Sequence, residues 1–207
     1  MSRKTKEEAQ KTRSRIMASA LSLFVKKGYD NTTFTDIALR LKMTKGAVYW
    51  HFESKADLLS ALLREAMSRF SAALAEWMSG REMTYKEVAD MLVDAAEQIV
   101  ADKRRSEFFM LMQTGLKWTD VKLAEVAKKL IAERACGPYE SVVCAVEADM
   151  AAGRVRKDTV PREVATATVV LWDGMIQRKI EGFLEIDMSH ALKKGFCAIW
   201  NMIKKEE

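Results

Sequence analysis

The sequence predicts an all-α protein of about nine helices, and three observations lead to that prediction. Only two prolines and nine glycines interrupt 207 residues, so there are few positions at which a helix must end. Apolar residues recur at helical spacing along most of the chain, and no long alternating or β-branched run indicates a strand. Because 49% of the residues are apolar, the chain has enough material for a hydrophobic core.

The first helix is predicted over residues 9–27, after a polar and basic segment of residues 1–8 that we expect to form a flexible arm. Apolar side chains at i, i+4, i+7 and i+8, counted from Ile16, form one face of this helix. Gly28 is expected to end it, because a glycine at this position adopts the left-handed conformation without strain.

Residues 32–55 predict two short helices joined by a tight turn. Thr33 can cap the first helix, with Asp36 three residues later as in a capping box. Thr44 can cap the second helix, which has only about two turns and cannot be stable alone. The exposed face of this second helix carries hydroxyl, ammonium, phenol and imidazole groups, which suit phosphates and base edges.

The positive charge lies in the same part of the chain. Residues 1–55 contain twelve Lys and Arg against five acidic side chains, a net charge of +7, whereas the rest of the chain carries −2. The whole chain has a net charge of +5. This distribution indicates a polyanionic partner for the N-terminal quarter, and a solvated basic face without a partner is the alternative.

A long helix is predicted from Ser54 to about Ser79. Its apolar face is wide, which suits a helix that links two parts of the protein. Beyond Gly80 the sequence keeps only helical periodicity and cap signals such as Thr84 and Pro161. The later helices are predicted at residues 84–101, 119–135, 138–152, 161–184 and 188–205, and residues 105–116 are a densely apolar segment.

The last two predicted helices are apolar over more than one stripe, and each contains an interior glycine. An interior glycine lowers helix stability by about 1 kcal/mol relative to alanine. Close approach of another helix would explain why glycine is nevertheless present. We therefore expect a homodimer with a four-helix interface, whereas in a monomer both helices would simply be central to the core. The expected interface residues are Leu171, Gly174, Met175, Leu192, Gly195, Phe196 and Ile199.

The stretch KGAVYWHFESKADLL and its surroundings closely resemble the DNA-binding domain of TetR-family transcriptional regulators, in particular multidrug-efflux repressors of the AcrR type. The similarity covers residues 12–65 and departs from the family at Lys42, where the turn usually carries glycine. The resemblance implies an N-terminal three-helix DNA-binding domain at residues 1–55 and a C-terminal ligand-binding and dimerisation domain at residues 56–207. The matching positions are Thr33, Asp36, Ile37, Ala38, Thr44, Lys45, Gly46, Tyr49, His51, Phe52 and Lys55.

Candidate DNA-binding residues follow from chemistry and from the resemblance. Lys45 is the expected base reader, because an ammonium donor suits guanine O6 and N7. Thr44 and Ala47 are expected to contact a phosphate or a thymine methyl group. The resemblance implies close approach of the helix at one glycine and contacts to the DNA backbone from four further residues. These five positions are Gly46, Thr33, Tyr49, His51 and Lys55.

The resemblance also implies a regulator, usually a repressor, which binds an inverted-repeat operator on double-stranded DNA as a homodimer and is released by a small effector. An adaptable, largely apolar pocket for the effector would suit the thirteen methionines of the chain, although such residues are more often ordinary core. The candidate lining residues are Met91, Phe108, Phe109, Met112, Gln113, Trp118, Glu147, Trp172 and Met175.

Other classes of function are less well supported by the sequence. No nucleophile elbow, phosphate-binding loop or zinc motif is present, and we expect neither an enzyme nor a cofactor or metal. We expect a cytoplasmic protein without a membrane partner, with three reduced and mostly buried cysteines. Two alternatives to the switchable regulator remain: a DNA-binding or structural factor that does not switch, and a helical interaction module with a vestigial helix-turn-helix.

Overall fold

The computed structural model describes residues 3–78, 82–116 and 137–205, and these residues confirm the all-α fold class. Nine α-helices lie in the described ranges, and a π-helical turn, Leu111–Gly115, follows the sixth. The predicted helix at residues 119–135 lies outside them. The helices are α1 Arg3–Lys27, α2 Phe34–Leu41, α3 Lys45–His51, α4 Lys55–Met78, α5 Tyr85–Ala101, α6 Lys103–Met110, α7 Pro138–Ala151, α8 Pro161–Ile180 and α9 Met188–Ile203.

The described residues divide into two compact units. The first comprises residues 3–67 and 104–116, and the second comprises residues 68–78, 82–103 and 137–205. The first unit therefore extends past residue 55, the boundary expected from the sequence, and gains a second chain segment. Within the described residues, no helix is both long and apolar enough to cross a membrane.

The first unit is built around a core to which α1, α2, α3 and the start of α4 all contribute. Ile16 and Phe24 of α1, Ile37 of α2, Val48 of α3 and Leu58 of α4 are completely buried there. The expectation of a flexible arm at residues 1–8 was wrong, because α1 already begins at Arg3. Arginine, lysine and glutamate make up five of the six residues 3–8, and all three residue types favour helix.

The helix-turn-helix is held by the caps that the sequence predicts. The Thr33 hydroxyl accepts from the Asp36 N–H, and the Asp36 carboxylate accepts from the Thr33 N–H, so the capping box is complete. The Thr44 hydroxyl likewise accepts from the Ala47 N–H at 3.1 Å. Lys42 ends α2 in the left-handed conformation, with φ 54° and ψ 45°.

Lys42→Gly is expected to raise the free energy of unfolding by about 0.5–1 kcal/mol. A left-handed conformation costs an L-residue about 1–2 kcal/mol, and the greater freedom of glycine in the unfolded chain offsets part of that gain. Thermal unfolding of the variant against the parent measures the effect. Lys42→Ala is the control, because it removes the charge but keeps Cβ; an equal gain from alanine would show that backbone strain is not the cause.

The second unit is a bundle in which α5, α7, α8 and α9 pack together. Thr84 caps α5 with a complete capping box, as predicted. The next residue, Tyr85, is buried, and its hydroxyl is 3.1 Å from the Thr168 hydroxyl of α8. Its backbone N–H donates to the buried carboxylate of Asp149 at 2.8 Å, and Arg154 donates to the same carboxylate at 2.6 Å.

Close approach of α8 and α9 explains one of the two interior glycines. A Cβ on Gly195 would lie 2.4 Å from Cδ2 of Leu171 in the same chain, so glycine lets these helices meet. A Cβ on Gly174 would meet nothing within 4 Å, because this position is exposed. The predicted end of α8 at residue 184 was too late, since the helix ends at Ile180 and Gly182 has φ +80°.

The expectation that the cysteines are mostly buried was wrong for the two that the structure describes. Cys144 on α7 and Cys197 on α9 are both exposed, whereas their neighbours Val143, Ala145 and Phe196 are buried. Each cysteine lies on the outer face of a helix whose inner face packs in the bundle. Cys136 lies outside the described residues.

Candidate nucleic-acid interface

The outer face of α3 is the centre of the candidate site. Val48 on this helix is buried, and the C-cap Phe52 also packs in the core. These two residues fix the inner face, so Lys45 and Gly46 are exposed on the outer face. The helix has seven residues, and the core contacts of Val48 and Phe52 supply the packing that a helix of this length needs.

A series of side-chain contacts connects the core to the ammonium of Lys45. The Phe34 and Tyr49 rings meet edge to face, with their centroids 4.9 Å apart. The ammonium of Lys45 lies 5.6 Å from the centroid of the Tyr49 ring, within the range of a cation–π contact. Phe34 is buried and Tyr49 is half exposed, so these contacts anchor one end of a cationic surface.

Gly46 leaves open space on the outer face of α3. A Cβ at this position would meet no atom closer than the Thr44 Oγ1, at 3.9 Å. The glycine is therefore not required by packing inside the protein. A backbone that must come close to a ligand is a common reason for glycine at such a position.

Gly46→Ala is expected to separate folding from DNA binding. Alanine favours helix over glycine by up to about 1 kcal/mol, so the thermal stability should stay the same or rise. The added methyl group should lower affinity for operator DNA at least about tenfold if the duplex approaches here. Thermal unfolding and a DNA-binding isotherm on one preparation measure both effects. A parallel loss of stability and affinity would contradict this assignment.

The Thr33 hydroxyl is already engaged within the capping box. It accepts from the Asp36 N–H and donates to the Asp36 carboxylate at 2.7 Å, so its proton is not directed at a DNA phosphate. Lys27 donates to the other carboxylate oxygen, also at 2.7 Å. The hydrogen bonds from Lys27 and Thr33 hold the pKa of Asp36 well below its usual range. The expected backbone contact of Thr33 would therefore need this network to rearrange.

Lys55 is placed differently from the expected backbone contact. Its ammonium donates to the carbonyl oxygens of Tyr29, Asp30 and Thr32, at 2.6, 3.0 and 3.2 Å. An ammonium has three N–H donors, so these bonds use all of them. In this geometry Lys55 holds its own chain and does not present a donor to DNA.

His51 lies at the end of α3 and is half-buried. Burial, with a smaller contribution from the charge of Arg13, lowers the pKa of His51 below its usual value of 6.5. The imidazole is therefore neutral at pH 7, and its N–H can donate to a phosphate without carrying a charge. The Arg13 guanidinium lies 4.6 Å from the centroid of the Phe52 ring, which places a cation of α1 near this end of α3.

Trp50 is the large exposed residue of this face that the sequence reasoning missed. Its side chain is 74% exposed, and its ring meets the His51 ring edge to face at 4.6 Å. Helical geometry places residue 50 about 200° around the axis from Val48, so its outward direction could have been derived from the burial of Val48. Leu39 on α2 is also exposed and was not among the expected DNA-binding residues.

Thr44, Lys45, Gly46 and Tyr49 thus lie on one exposed surface of α3, which we call the α3 surface. Ala47 and His51 are half-buried at its edge. The Thr44 hydroxyl accepts from Ala47 in the helix cap, and its proton can still be donated outward. Donors, a cation and aromatic groups on a short surface helix can together contact phosphates and base edges.

The candidate effector-pocket residues belong to different units. Phe108 and Met112 pack against the core of the first unit, where Phe109 is buried and Gln113 is exposed. In the second unit, Met91 and Trp172 are buried and Met175 is half-buried. Trp118 lies outside the described residues.

Two pocket candidates of the second unit have other surroundings than expected. Glu147 of α7 is exposed, so it is not a buried acid, and its place in a pocket stays a prediction. The Trp172 indole N–H donates to the Leu92 carbonyl at 2.7 Å, which satisfies the polar group of this buried ring within the protein. Trp172 therefore joins α8 to α5 inside the bundle.

The expected dimer-interface residues differ in how far they are exposed. Leu192 and Phe196 are buried within their own unit and cannot contact a second copy, so their assignment was wrong. Gly195 is used for contact with Leu171 in the same chain. Gly174 is exposed, and Leu171, Met175 and Ile199 are half-buried.

The fold and the α3 surface define a class: a helix-turn-helix protein with the architecture of TetR-family regulators. Residues 16–62 match the model of "Bacterial regulatory proteins, tetR family". Over 63 residues the chain is 52% identical to the HTH-type transcriptional regulator TtgR of Pseudomonas putida, covering 30% of each chain. Over 108 residues it is 35% identical to the HTH-type transcriptional regulator AcrR of Shigella flexneri, covering 51% of this chain and 49% of AcrR.

Solved structures extend the fold similarity to nearly the whole chain. NalD, the secondary repressor of the MexAB-OprM multidrug efflux pump in Pseudomonas aeruginosa, superimposes with a TM-score of 0.74 at 21% identity, covering 97% of this chain and 100% of NalD. A SmeT–triclosan complex gives 0.74 at 20% identity, covering 94% and 92%. The resemblance to the TetR family and its efflux repressors is therefore confirmed, although the chain spans half or less of the length of TtgR and AcrR.

Proposed function

We propose that this protein is a sequence-specific transcriptional repressor that binds an inverted-repeat operator as a homodimer and is released by a small, largely apolar effector. The observation that carries the proposal is the α3 surface, where Thr44 and Lys45 are exposed beside the open Gly46. The net charge of +7 over residues 1–55 supports a polyanionic partner at the same place.

Sequence reading by this surface would divide between two kinds of contact. Lys45 would donate to a base edge in the major groove, where guanine offers two acceptors. Tyr49, His51 and Thr44 would contact phosphates and fix the register of α3 on the duplex. Trp50 and the methyl group of Ala47 would add apolar contacts, for which thymine methyl groups are the natural partners.

An exposed apolar stripe in the second unit supports the homodimer. Val170 of α8 and Met202 of α9 are 66% and 68% exposed, which is unusual for large apolar side chains. Ala167, Gly174 and Ala198 are exposed beside them at helical spacing. An open groove of about 440 Å³ runs along this part of α8 and is lined by Val170, Ala167, Thr166, Arg162 and Glu163. We name this stripe the α8–α9 face.

A second copy is the occupant that best suits the α8–α9 face. The small residues Ala167, Gly174 and Ala198 permit close helix packing, and two copies related by a twofold axis would bury the same face on each. Two α3 surfaces would then meet successive major-groove faces about 34 Å apart, and the operator would share the twofold symmetry of the protein.

The effector is proposed on the precedent of the SmeT complex with triclosan, which is a small and mainly apolar molecule. An effector of this protein must bind the state with low DNA affinity more tightly than the DNA-binding state. Met91 and Met175 remain proposed lining residues for a pocket within the second unit. A cytoplasmic location and the absence of catalytic activity follow from the proposed role in transcription.

Selection of bound duplexes from a random DNA pool tests the proposal directly. We expect one inverted repeat, bound at least about 10³-fold more tightly than unrelated DNA at physiological salt. Equal binding to all sequences would favour a structural DNA-binding factor, and no binding would favour a helical interaction module. Loss of binding upon addition of an apolar small molecule would separate a switchable repressor from a constitutive one.

A further inference from the structure

One face of α1 changes from apolar to basic along its length. Residues at alternating steps of four and three positions share one side of an α-helix. In α1 these steps connect three buried apolar residues, one half-buried arginine and two exposed polar residues. In that order they are Phe24, Ala20, Met17, Arg13, Gln10 and Lys6. We name the part formed by Lys6, Gln10 and Arg13 the α1 stripe.

Arg13 lies where the α1 stripe meets the end of α3. Its guanidinium is 4.6 Å from the centroid of the Phe52 ring, and Phe52 is the buried C-cap of α3. Burial lowers the pKa of His51, and the positive charge of Arg13 adds to that shift, so the guanidinium is within electrostatic reach of the imidazole. The stripe therefore begins beside His51, for which a phosphate contact is already proposed.

The cations of the α1 stripe are not neutralised by acidic side chains. Within the described residues, neither Lys6 nor Arg13 belongs to an ion pair. Arg13 donates to the Met17 thioether at 3.3 Å, which is a weak acceptor and leaves other N–H donors of the guanidinium for a further partner. The two acidic residues of α1, Glu7 and Glu8, lie about 100° and 160° around the helix axis from Lys6.

Packing of the first unit does not account for the basic part of α1. None of residues 6–15 is buried, whereas burial begins at Ile16. This part of the helix therefore extends beyond the core, and its side chains are available to an external partner. Lys6 and Arg13 are about 10 Å apart along the helix axis, at 1.5 Å per residue, so they can neutralise separate phosphates.

We propose that the α1 stripe is a second DNA-contact surface, in which Lys6, Gln10 and Arg13 bind operator phosphates beyond those reached from α3. A guanidinium can bind a phosphate through two parallel N–H donors, and an ammonium or an amide adds single donors. These contacts strengthen binding and fix the orientation of the unit without reading sequence, because every base pair carries the same phosphates. Binding of DNA by the α1 stripe rests on the proposed function.

Salt dependence of operator binding compares two opposite faces of α1. The variant Lys6→Gln/Arg13→Gln removes both cations of the stripe, whereas Lys11→Gln/Arg15→Gln removes one lysine and one arginine from the exposed opposite face. Each phosphate contact contributes about 0.9 to the slope of log K against log salt concentration. In a dimer the stripe variant should therefore reduce the slope by about 3.6 and lower affinity at physiological salt at least about tenfold. The opposite-face variant should reduce the slope by less than about 1.

The outcomes of this comparison separate the α1 stripe from the proposed function. An equal reduction of the slope in both variants would show that the charge of α1 acts only at long range. An unchanged slope in both would show a solvated basic face, and either result would overturn the proposal. Failure of the proposed function would instead be seen in the parent protein, which would then prefer no operator over unrelated DNA.

Phosphate ethylation interference on the selected operator locates the contacts. At low salt, ethylation of one or more phosphates in each half-site should weaken binding of the parent and of Lys11→Gln/Arg15→Gln. The same ethylation should not affect Lys6→Gln/Arg13→Gln, which no longer contacts those phosphates. The relative affinities for operator variants should stay the same in all three proteins. Identical interference patterns in the two variants would show that the stripe does not contact the DNA backbone.

Lys6→Gln alone keeps the test valid if loss of Arg13 disturbs the contact with Phe52. Lys6 is exposed, so this substitution should leave the thermal unfolding temperature unchanged. We expect the salt slope of the dimer to fall by about 1.8, with Lys11→Gln as the matched single control. Equal slopes for these two folded single variants would overturn the proposal.

Discussion

Val170→Glu is expected to produce a monomer and to weaken operator binding about 100-fold or more. The Val170 side chain is 66% exposed on the α8–α9 face, where the proposed twofold axis would bring apolar surfaces together. A carboxylate there must lose its hydration in a largely apolar contact, and each dimer would contain two of them. Separated copies lose the gain in affinity from simultaneous binding of two half-sites, which is about 10²–10⁴-fold.

Sedimentation equilibrium and an operator-binding isotherm on the same preparation measure this prediction. Ile186→Glu is the matched control, because Ile186 is also an exposed apolar residue but lies in the loop between α8 and α9. The control should stay dimeric and bind normally. A Val170→Glu protein that remains dimeric with parental affinity would show that the α8–α9 face is not the interface.

Lys45→Ala is expected to relax sequence preference at one base pair of each half-site. A good contact between a basic side chain and guanine contributes about 1–3 kcal/mol of discrimination against the wrong base. Affinity for the best operator should fall by that amount, whereas affinity for an operator changed at that base pair should change little. Competition between single-base variants of the selected operator measures the difference.

Lys26→Ala provides the control for Lys45→Ala. Lys26 is an exposed lysine of the same unit, in the last turn of α1, and the substitution removes the same charge. Lys26→Ala should leave the relative affinities for the operator variants unchanged. If both variants reduced binding to every sequence by the same factor, Lys45 would be a contact to the DNA backbone and not the base reader.

The caps and the turn of the helix-turn-helix could be predicted because their determinants are close in sequence. Thr33, Thr44 and Thr84 each bond to an N–H three residues later, so residue type and spacing suffice. The tight turn between the two helices was also predicted, and Lys42, which ends α2 there, has φ 54°. The helix ends at Gly28 and Gly153 could be predicted from local sequence in the same way, and both glycines have positive φ.

Lys55 could not be assigned in this way, since its partners are backbone carbonyls more than twenty residues away. A carbonyl is present at every residue and leaves no signature in the sequence. Leu192 and Phe196 were wrongly expected at a dimer interface for another reason. A helix such as α9 is apolar on more than one stripe, and periodicity does not tell which stripe packs in its own core. Phe196 lies on the inner stripe, and Met202 lies on the outer one.

The left-handed Lys42 has a consequence for how this chain can change over generations. A glycine there would relieve the backbone, but the first 55 residues would then lose one of their twelve cationic side chains. A population of variants sorted only for resistance to heat should therefore accumulate glycine at this position. A population selected for DNA affinity should keep a basic residue at position 42 if its charge contributes to binding. The residue found at this position would therefore show whether selection acted on thermal stability or on DNA binding.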